Sequence, residues 1–341
     1  MILKIKKSYL WFITLKILIV PIFDFIWKNI INIHGRLLNF LWFYKKKNFF
    51  FNLNQAKPIY KLENIQELKN LASKILSACD KNFLKKVEEE IKTPTYGHIN
   101  ESNNGKDKYF AQLFDRLDED TKNEIIKFAS SDLMISTASN YLKVFPILSK
   151  VALTYHIPRN FDKQRGAMMF HKDEFGYKSM DMFIAINDID SETGPLRAVT
   201  TKFDSLGPFA KILNKEESII RGNRGKIKNE IIDKKKLNEF SIEGKSGTAI
   251  LIDSFKCYHA GGHCKSKPRI LLRILYSTID DLSLPSQKIM NKVTEKYLKK
   301  HPNYRDDKFK KFFFTKRSVF FANKKISKFL YQLTRIFCYK F

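Results

Sequence analysis

The sequence predicts an α+β fold, with helical segments first and an antiparallel barrel or sandwich after them. Two observations predict it. Apolar residues recur at helical spacing up to about residue 148, and from residue 151 short runs rich in β-branched and aromatic residues alternate with turn signals. The chain has 341 residues, 44% of them hydrophobic and 28% charged, which suffices for a sizeable core and excludes disordered, collagenous and disulfide-stapled classes.

Residues 1–50 form a basic, apolar N-terminal helical segment with nine basic groups and one acid, Asp24. Within it, residues 9–27 are long enough to span a bilayer, but Lys16, Pro21 and Asp24 interrupt them, and each central charge costs roughly 2.5–3.5 kcal/mol. A helix against protein, or one lying in a membrane interface, explains the same residues. Lys16 and the lack of a small-residue cleavage site argue against an export signal. Residues 51–150 read as a helical region packing on the core. Leu62, Ile65, Leu68, Leu71, Ile75 and Leu76 carry the periodicity over 60–92, and a second helical stretch covers 118–148, broken at Pro146.

The core, 151–285, contains the strand-like runs VALTYHIP, AMMFHKD, SMDMFIAINDI, GPLRAV, GTAILID and RILLRILYSTI, punctuated by turns such as Glu192-Thr193-Gly194-Pro195. Residues 202–243 are charged and aperiodic and read as an insertion or lid. Residues 286–341 form a basic helical extension with sixteen basic groups and three acids. There Ile326, Phe329, Leu330, Leu333 and Ile336 make an amphipathic stripe suited to packing on the domain or to membrane docking.

The formal net charge is +27, but the two ends hold +8 and +13 of it, leaving +6 for residues 51–285. The middle is therefore only mildly basic. No nucleic-acid recognition module is visible, so no nucleic acid is expected as a partner, and peripheral membrane association is assigned to the basic ends. A skewed codon usage rich in Lys, Asn, Ile and Phe is an equally plain source of the charge. Cys79, Cys257, Cys264 and Cys338 form no CxxC pair, which fits a reduced, cytoplasmic protein. Nothing in the sequence bears on oligomeric state.

Seven histidines are present, and His171 stands in FHKDEFG with Asp173 two residues on. In a strand, positions i and i+2 share a face, so an imidazole and a carboxylate at this spacing can bind one metal ion. Such a pair arises readily by chance. The second half is more telling: in GTAILIDSFKCYHAGGHCKSKPRILLRILYST a strand leads through Asp253 to His259, a Gly-Gly turn follows, and Arg269 opens another strand. Two histidines and one carboxylate make the facial triad of non-haem Fe(II) oxygenases. A downstream arginine suits the far carboxylate of an oxo-acid cosubstrate. Arg269, Leu271 and Arg273 share one strand face, so Arg273 competes with Arg269 for that role. Zinc at His259 with Cys257 and Cys264 would leave His171 and Asp173 unexplained.

At FHKDEFGYKSMDMFIAINDIDSETGPLRAVTTK and GTAILIDSFKCYHAGGHCKSKPRILLRILY, with a weaker echo in NYLKVFPILSKVALTYHIP, the chain resembles the phytanoyl-CoA dioxygenase family of Fe(II)- and 2-oxoglutarate-dependent oxygenases. The resemblance covers about residues 138–280. It implies a double-stranded β-helix, the jelly-roll or cupin-like fold, with Fe(II) at its open end. It implies His171, Asp173 and His259 as ligands, Arg269 as the 2-oxoglutarate clamp, and O2 as oxidant in hydroxylating a small molecule, while the basic ends of the chain favour an anionic lipid or a glycan intermediate made at the membrane as substrate. Related halogenases lack the carboxylate that Asp173 supplies, so the resemblance points to hydroxylation, with desaturation or cyclisation as variants.

Relatives hydrogen-bond 2-oxoglutarate from the strand that here holds Thr154 and Tyr155, although core packing of the Tyr155 ring fits equally. Lys178 is a candidate for contact with an acidic substrate or cosubstrate, against an ordinary solvated turn lysine. Where relatives usually carry a Ser-His pair, this chain has Thr200-Thr201-Lys202, a departure that bears on substrate more than on chemistry. The alternative function is a catalytically inactive jelly-roll protein serving as a membrane-associated scaffold. An intact ligand set and clamp favour the enzyme.

Overall fold

In the computed structural model, the described residues are 33–45, 59–92, 110–158, 168, 170–173, 178–199, 239–254 and 257–278. The apolar stretch 9–27, most of the 202–243 insertion and the basic extension with its stripe at 326–336 lie outside them. Among the described residues no helix is long and apolar enough to cross a membrane.

Helix α1 (Ile33–Lys45) rests on the body through Gly35 and Trp42. The Phe145 N–H donates to the Gly35 carbonyl at 2.8 Å, and Trp42 meets the Phe145 ring edge-on at 5.7 Å. The opposite side of α1 exposes Ile33, Leu37, Phe40, Leu41 and Tyr44. The region expected to be one helical stretch from 60 to 92 divides into three elements: strand β1 (Ile59–Leu62), α2 (Gln66–Ala78) and α3 (Lys81–Lys92). Helix α2 buries Leu68, Leu71, Ala72 and Ile75, the i, i+3, i+4, i+7 face that the periodicity marked. Asp80 separates it from α3, accepting the Phe83 N–H at 2.7 Å.

Strand β2 (Phe110–Gln112) and a short 3-10 turn lead to α4 (Glu119–Ala129) and α5 (Asp132–Leu142). Sequence periodicity ran through both helices without a break. They are two because Ser131 turns its side chain back to accept the Met134 N–H at 3.2 Å, capping a new helix. Lys143, at φ 61°, ends α5 just before Pro146 and β3 (Ile147–His156).

The remaining strands are β4 (Ser179–Ala185), β5 (Arg197–Val199), β6 (Glu239–Ser241), β7 (Ala249–Ile252), β8 (Tyr258–Ala260) and β9 (Arg269–Ser277). Strand β6 pairs with β5, so the last residues assigned to the 202–243 insertion belong to the sheet. A six-stranded antiparallel sheet has the order β1-β7-β4-β9-β3-β2, and a three-stranded one the order β6-β5-β8. An isolated bridge between His171 and His259 continues the smaller sheet beyond β8. From β3 onward the chain alternates between sheets: large at β3, small at His171, large at β4, small at β5 and β6, then large, small and large again at β7, β8 and β9.

The larger sheet is the middle layer. Val151, Leu153, Met180, Met182, Ile184, Leu251, Leu272 and Ile274 point into a core shared with the helices. Their alternates Phe183, Ala185, Ile250, Ile252 and Leu271 share a second core with Ala198 and Ile242 from the smaller sheet. Period-two alternation thus commits each strand residue to one of two interiors.

Two glycines staple one end of the sandwich. A Cβ on Gly262 would lie 2.2 Å from the Pro195 carbonyl oxygen, and Gly194, at φ +66°, packs equally tightly on the His263 backbone. The Cys264 thiol donates to the Thr193 carbonyl at 3.0 Å, and the Lys265 N–H to the Glu192 carbonyl at 2.8 Å. The Gly-Pro-Leu and Gly-Gly motifs therefore meet in space, locking the turn before β5 to the one that launches β9.

Candidate metal centre

His171 and His259 exchange backbone hydrogen bonds, each N–H donating to the other's carbonyl at 2.9 Å. Two residues on, the Asp173 N–H donates to the Ser254 carbonyl at 2.9 Å. These three bonds bring residues far apart in sequence to one spot at the edge of the smaller sheet. The imidazole centroids are 4.5 Å apart, Asp173 Oδ1 is 3.7 Å from His171 Nε2, and Asp173 Oδ2 is 3.5 Å from His259 Nε2. One donor atom from each residue lies within 4.8 Å of the others, a group able to hold a metal ion. Two imidazoles and one carboxylate, with no thiolate, form a donor set suited to Fe(II).

His259 is the most buried of the three, and its Nδ1 faces the Cys257 carbonyl at 3.3 Å. That acceptor favours the proton on Nδ1 and leaves the Nε2 lone pair toward Asp173, the arrangement usual behind metal-ligating histidines. Cys257 thus meets His259 through its carbonyl, and the Cys264 thiol is engaged with the Thr193 carbonyl.

Asp173 sits under a second layer of charge. Arg273 Nη2 donates to Asp173 Oδ2 at 2.5 Å, while Arg273 Nε and Nη2 grip Asp181 Oδ1 and Oδ2, both at 2.7 Å. Burial acts to raise the Asp173 carboxyl, but the Arg273 guanidinium outweighs it and holds the group well below the usual carboxylate range. Burial acts to lower Arg273, but Asp181 and then Asp173 hold it firmly protonated.

Arg269 also faces the interior between the sheets, four residues from Arg273 and so about 13 Å along the strand. Its side chain is among the largest that are fully buried, with 1% of the residue exposed. Across the ladder it pairs with His156, which burial and then the Arg269 charge keep well below its ordinary pKa. His156 packs in the fold, stacked on Phe110 at 5.6 Å and 3.2 Å from the Thr154 hydroxyl.

The expected roles of two residues do not fit their positions. Tyr155 points to the helix side of the large sheet, where its hydroxyl donates to Glu88 of α3. The alternation that turns Thr154 and His156 inward turns Tyr155 outward, so it does not reach the centre. Lys178 is neither solvated nor at the centre: it is buried and donates to the Tyr141 carbonyl at 2.5 Å, with its ammonium 4.3 Å from the Tyr141 ring centroid. Tyr155→Phe is expected to lower stability by about 1 kcal/mol, with 2-oxoglutarate affinity unchanged. Thermal melts beside a cosubstrate titration check this, and a large loss of cosubstrate binding would return Tyr155 to the site.

Two residues near the centre escaped the sequence. Asp181 is fully buried in an otherwise apolar strand, and a buried carboxylate demands a partner, a signal that was available. Lys150 enters the same interior from β3. Burial and then Arg273 lower its pKa, while Asp173 and Asp181 pull it back up.

No family model matches the chain, nor does any curated protein. Similar solved structures include the non-heme alpha ketoglutarate dependent epimerase SnoN from nogalamycin biosynthesis, at 13% identity over 65% of this chain and 77% of that one, with a TM-score of 0.38. The carbocyclase SnoK of the same biosynthesis matches at 12% identity over 67% and 86%, with a TM-score of 0.40. EctD from S. alaskensis matches at 13% identity over 66% and 74%, with a TM-score of 0.38.

Proposed function

We propose that this chain is a non-haem Fe(II)- and 2-oxoglutarate-dependent oxygenase with a jelly-roll core, related to the phytanoyl-CoA dioxygenase family. The observation that carries the proposal is the group His171, Asp173 and His259, whose donor atoms lie within 4.8 Å. The alternation of strands between a larger and a smaller sheet supports the jelly roll. Bound at this group, iron with 2-oxoglutarate and O2 supplies an oxidation of substrate linked to decarboxylation of the cosubstrate.

The chain's own residues do the positioning. His259 is oriented by the Cys257 carbonyl. Asp173 is kept ionised, chiefly by Arg273. Because Arg273 is gripped by Asp181 through both Nε and Nη2, Arg269 is assigned as the cation for the far carboxylate of 2-oxoglutarate. Phe183, Ile250 and Leu271, all buried, form apolar wall that keeps water from the space between the sheets.

The test is anaerobic absorption spectroscopy of the protein with Fe(II) and 2-oxoglutarate. A weak visible charge-transfer band is expected in the wild type, reduced in Arg269→Leu and absent in Asp173→Ala. A folded wild-type protein without the band would overturn the proposal.

A further inference from the structure

We propose that the substrate of this site is a small organic anion and that the Lys150 ammonium receives its carboxylate, phosphate or sulfonate group beside the metal centre. This rests on the oxygenase reading above and adds the substrate's charge to it.

The first support is a break in strand alternation. Leu148 pairs with Tyr276 and lies in the helix-side core, and Val151 pairs with Ile274 and lies there too. They lie three positions apart where period two allows only even spacings, and the register shifts between Leu148 and Lys150. This bulge turns Lys150 inward; counted from Leu148 without it, Lys150 would point at the apolar helix core. Bulges beside functional sites commonly re-aim one side chain in this way.

The second support is what Lys150 meets there. It stands opposite Leu275, whose neighbour on the other side is Asp181, so the three form a row across β3, β9 and β4 with Arg273 two positions along. No hydrogen bond or ion pair reaches the Lys150 ammonium from the described residues, although the residue is half-buried. Asp181, the nearest carboxylate in the row, is taken by Arg273. A half-buried ammonium without a partner is costly unless something arrives to pair with it.

The third support is charge balance. Among the described residues the space between the sheets holds Lys150, Arg269 and Arg273 against Asp173 and Asp181. His156 is held neutral, and Lys172 and Arg197 lie over the Tyr258 and Phe170 rings instead. A divalent iron and a dianionic 2-oxoglutarate cancel each other. Among these described groups one positive charge is left over, which favours an anionic group on the substrate.

The experiment uses matched probes: benzoate with benzamide, phenyl phosphate with phenol, and benzenesulfonate with benzenesulfonamide. Each is titrated by saturation-transfer NMR into the full chain, with Fe(II) and 2-oxoglutarate under anaerobic conditions and also without them. At least one anion is expected to bind tenfold or more tightly than its neutral partner. In Lys150→Met that preference is expected to disappear, while the affinity for 2-oxoglutarate stays within twofold. Absence of any anionic preference, or its survival in Lys150→Met, overturns the proposal. So does a loss of 2-oxoglutarate binding in Lys150→Met as large as that in Arg269→Leu, because the ammonium would then serve the cosubstrate. Failure of the oxygenase reading shows separately, as a missing charge-transfer band in a wild type that still discriminates the probes.

Discussion

Asp173→Ala is expected to abolish divalent-metal binding at the centre while leaving the fold intact. Among the described residues the carboxylate supplies the site's only anionic donor, and neutral imidazoles alone hold Fe(II) poorly. Loss of an outer partner already costs metal sites about 10–100-fold in affinity, so loss of this ligand is expected to exceed 100-fold. The fold survives because Arg273 keeps Asp181, with two bonds of 2.7 Å. Isothermal titration with Fe(II) or Co(II) reads the first effect and thermal melting of the metal-free protein the second. Retained metal affinity would remove Asp173 from the ligand set.

The same carboxylate sets a sign for pH. Its folded pKa lies below the ordinary value, chiefly through Arg273 acting against burial. Its contribution to stability is therefore complete above about pH 4 and is lost as pH falls through the lower folded value. Wild type and Asp173→Ala should accordingly converge in melting temperature in strong acid.

Asp181→Asn is expected to have the largest effect on stability. Asp181 has no exposed surface, and its carboxylate accepts from Arg273 Nε and Nη2. Breaking a buried ion pair from one side costs about 3–5 kcal/mol, because the remaining charge stays buried. Asp173, 2.5 Å from Arg273 Nη2, still offsets part of that charge and places the loss toward the lower figure. The unanchored guanidinium then competes with metal for Asp173, so metal affinity should fall about tenfold as well. Denaturant unfolding of the metal-free protein measures the first effect. The double variant Asp181→Leu/Arg273→Met should recover most of the stability, since a well-packed apolar pair replaces buried ions at little or no cost. A single variant as stable as wild type would mean that the pair contributes nothing.

The candidate centre was legible in sequence to the extent that its chemistry is local. His171 and Asp173 share a strand face at i and i+2, a relation that holds in any extended segment. His259 stands out by its place between a strand and a Gly-Gly turn. The turn motifs were visible, but not that they meet, with Gly262 packed against the Pro195 carbonyl. Helix periodicity found the apolar face of α2 but ran through the Ser131 cap, because a capping side chain leaves no mark on hydrophobic spacing.

By itself, then, the sequence determined the order of a helical half before a stranded one, the three candidate donor residues and the arginine pair on one strand face. Each depends on covalent spacing and on period-two or period-3.6 geometry alone. The tertiary structure decided which interior each strand residue enters. Tyr155 went to Glu88 and away from the centre, Arg273 went to Asp181 and Asp173, and a bulge turned Lys150 inward. A shift of one residue in pairing reverses every side chain of a strand, and pairing between distant strands is settled only when both cores are packed.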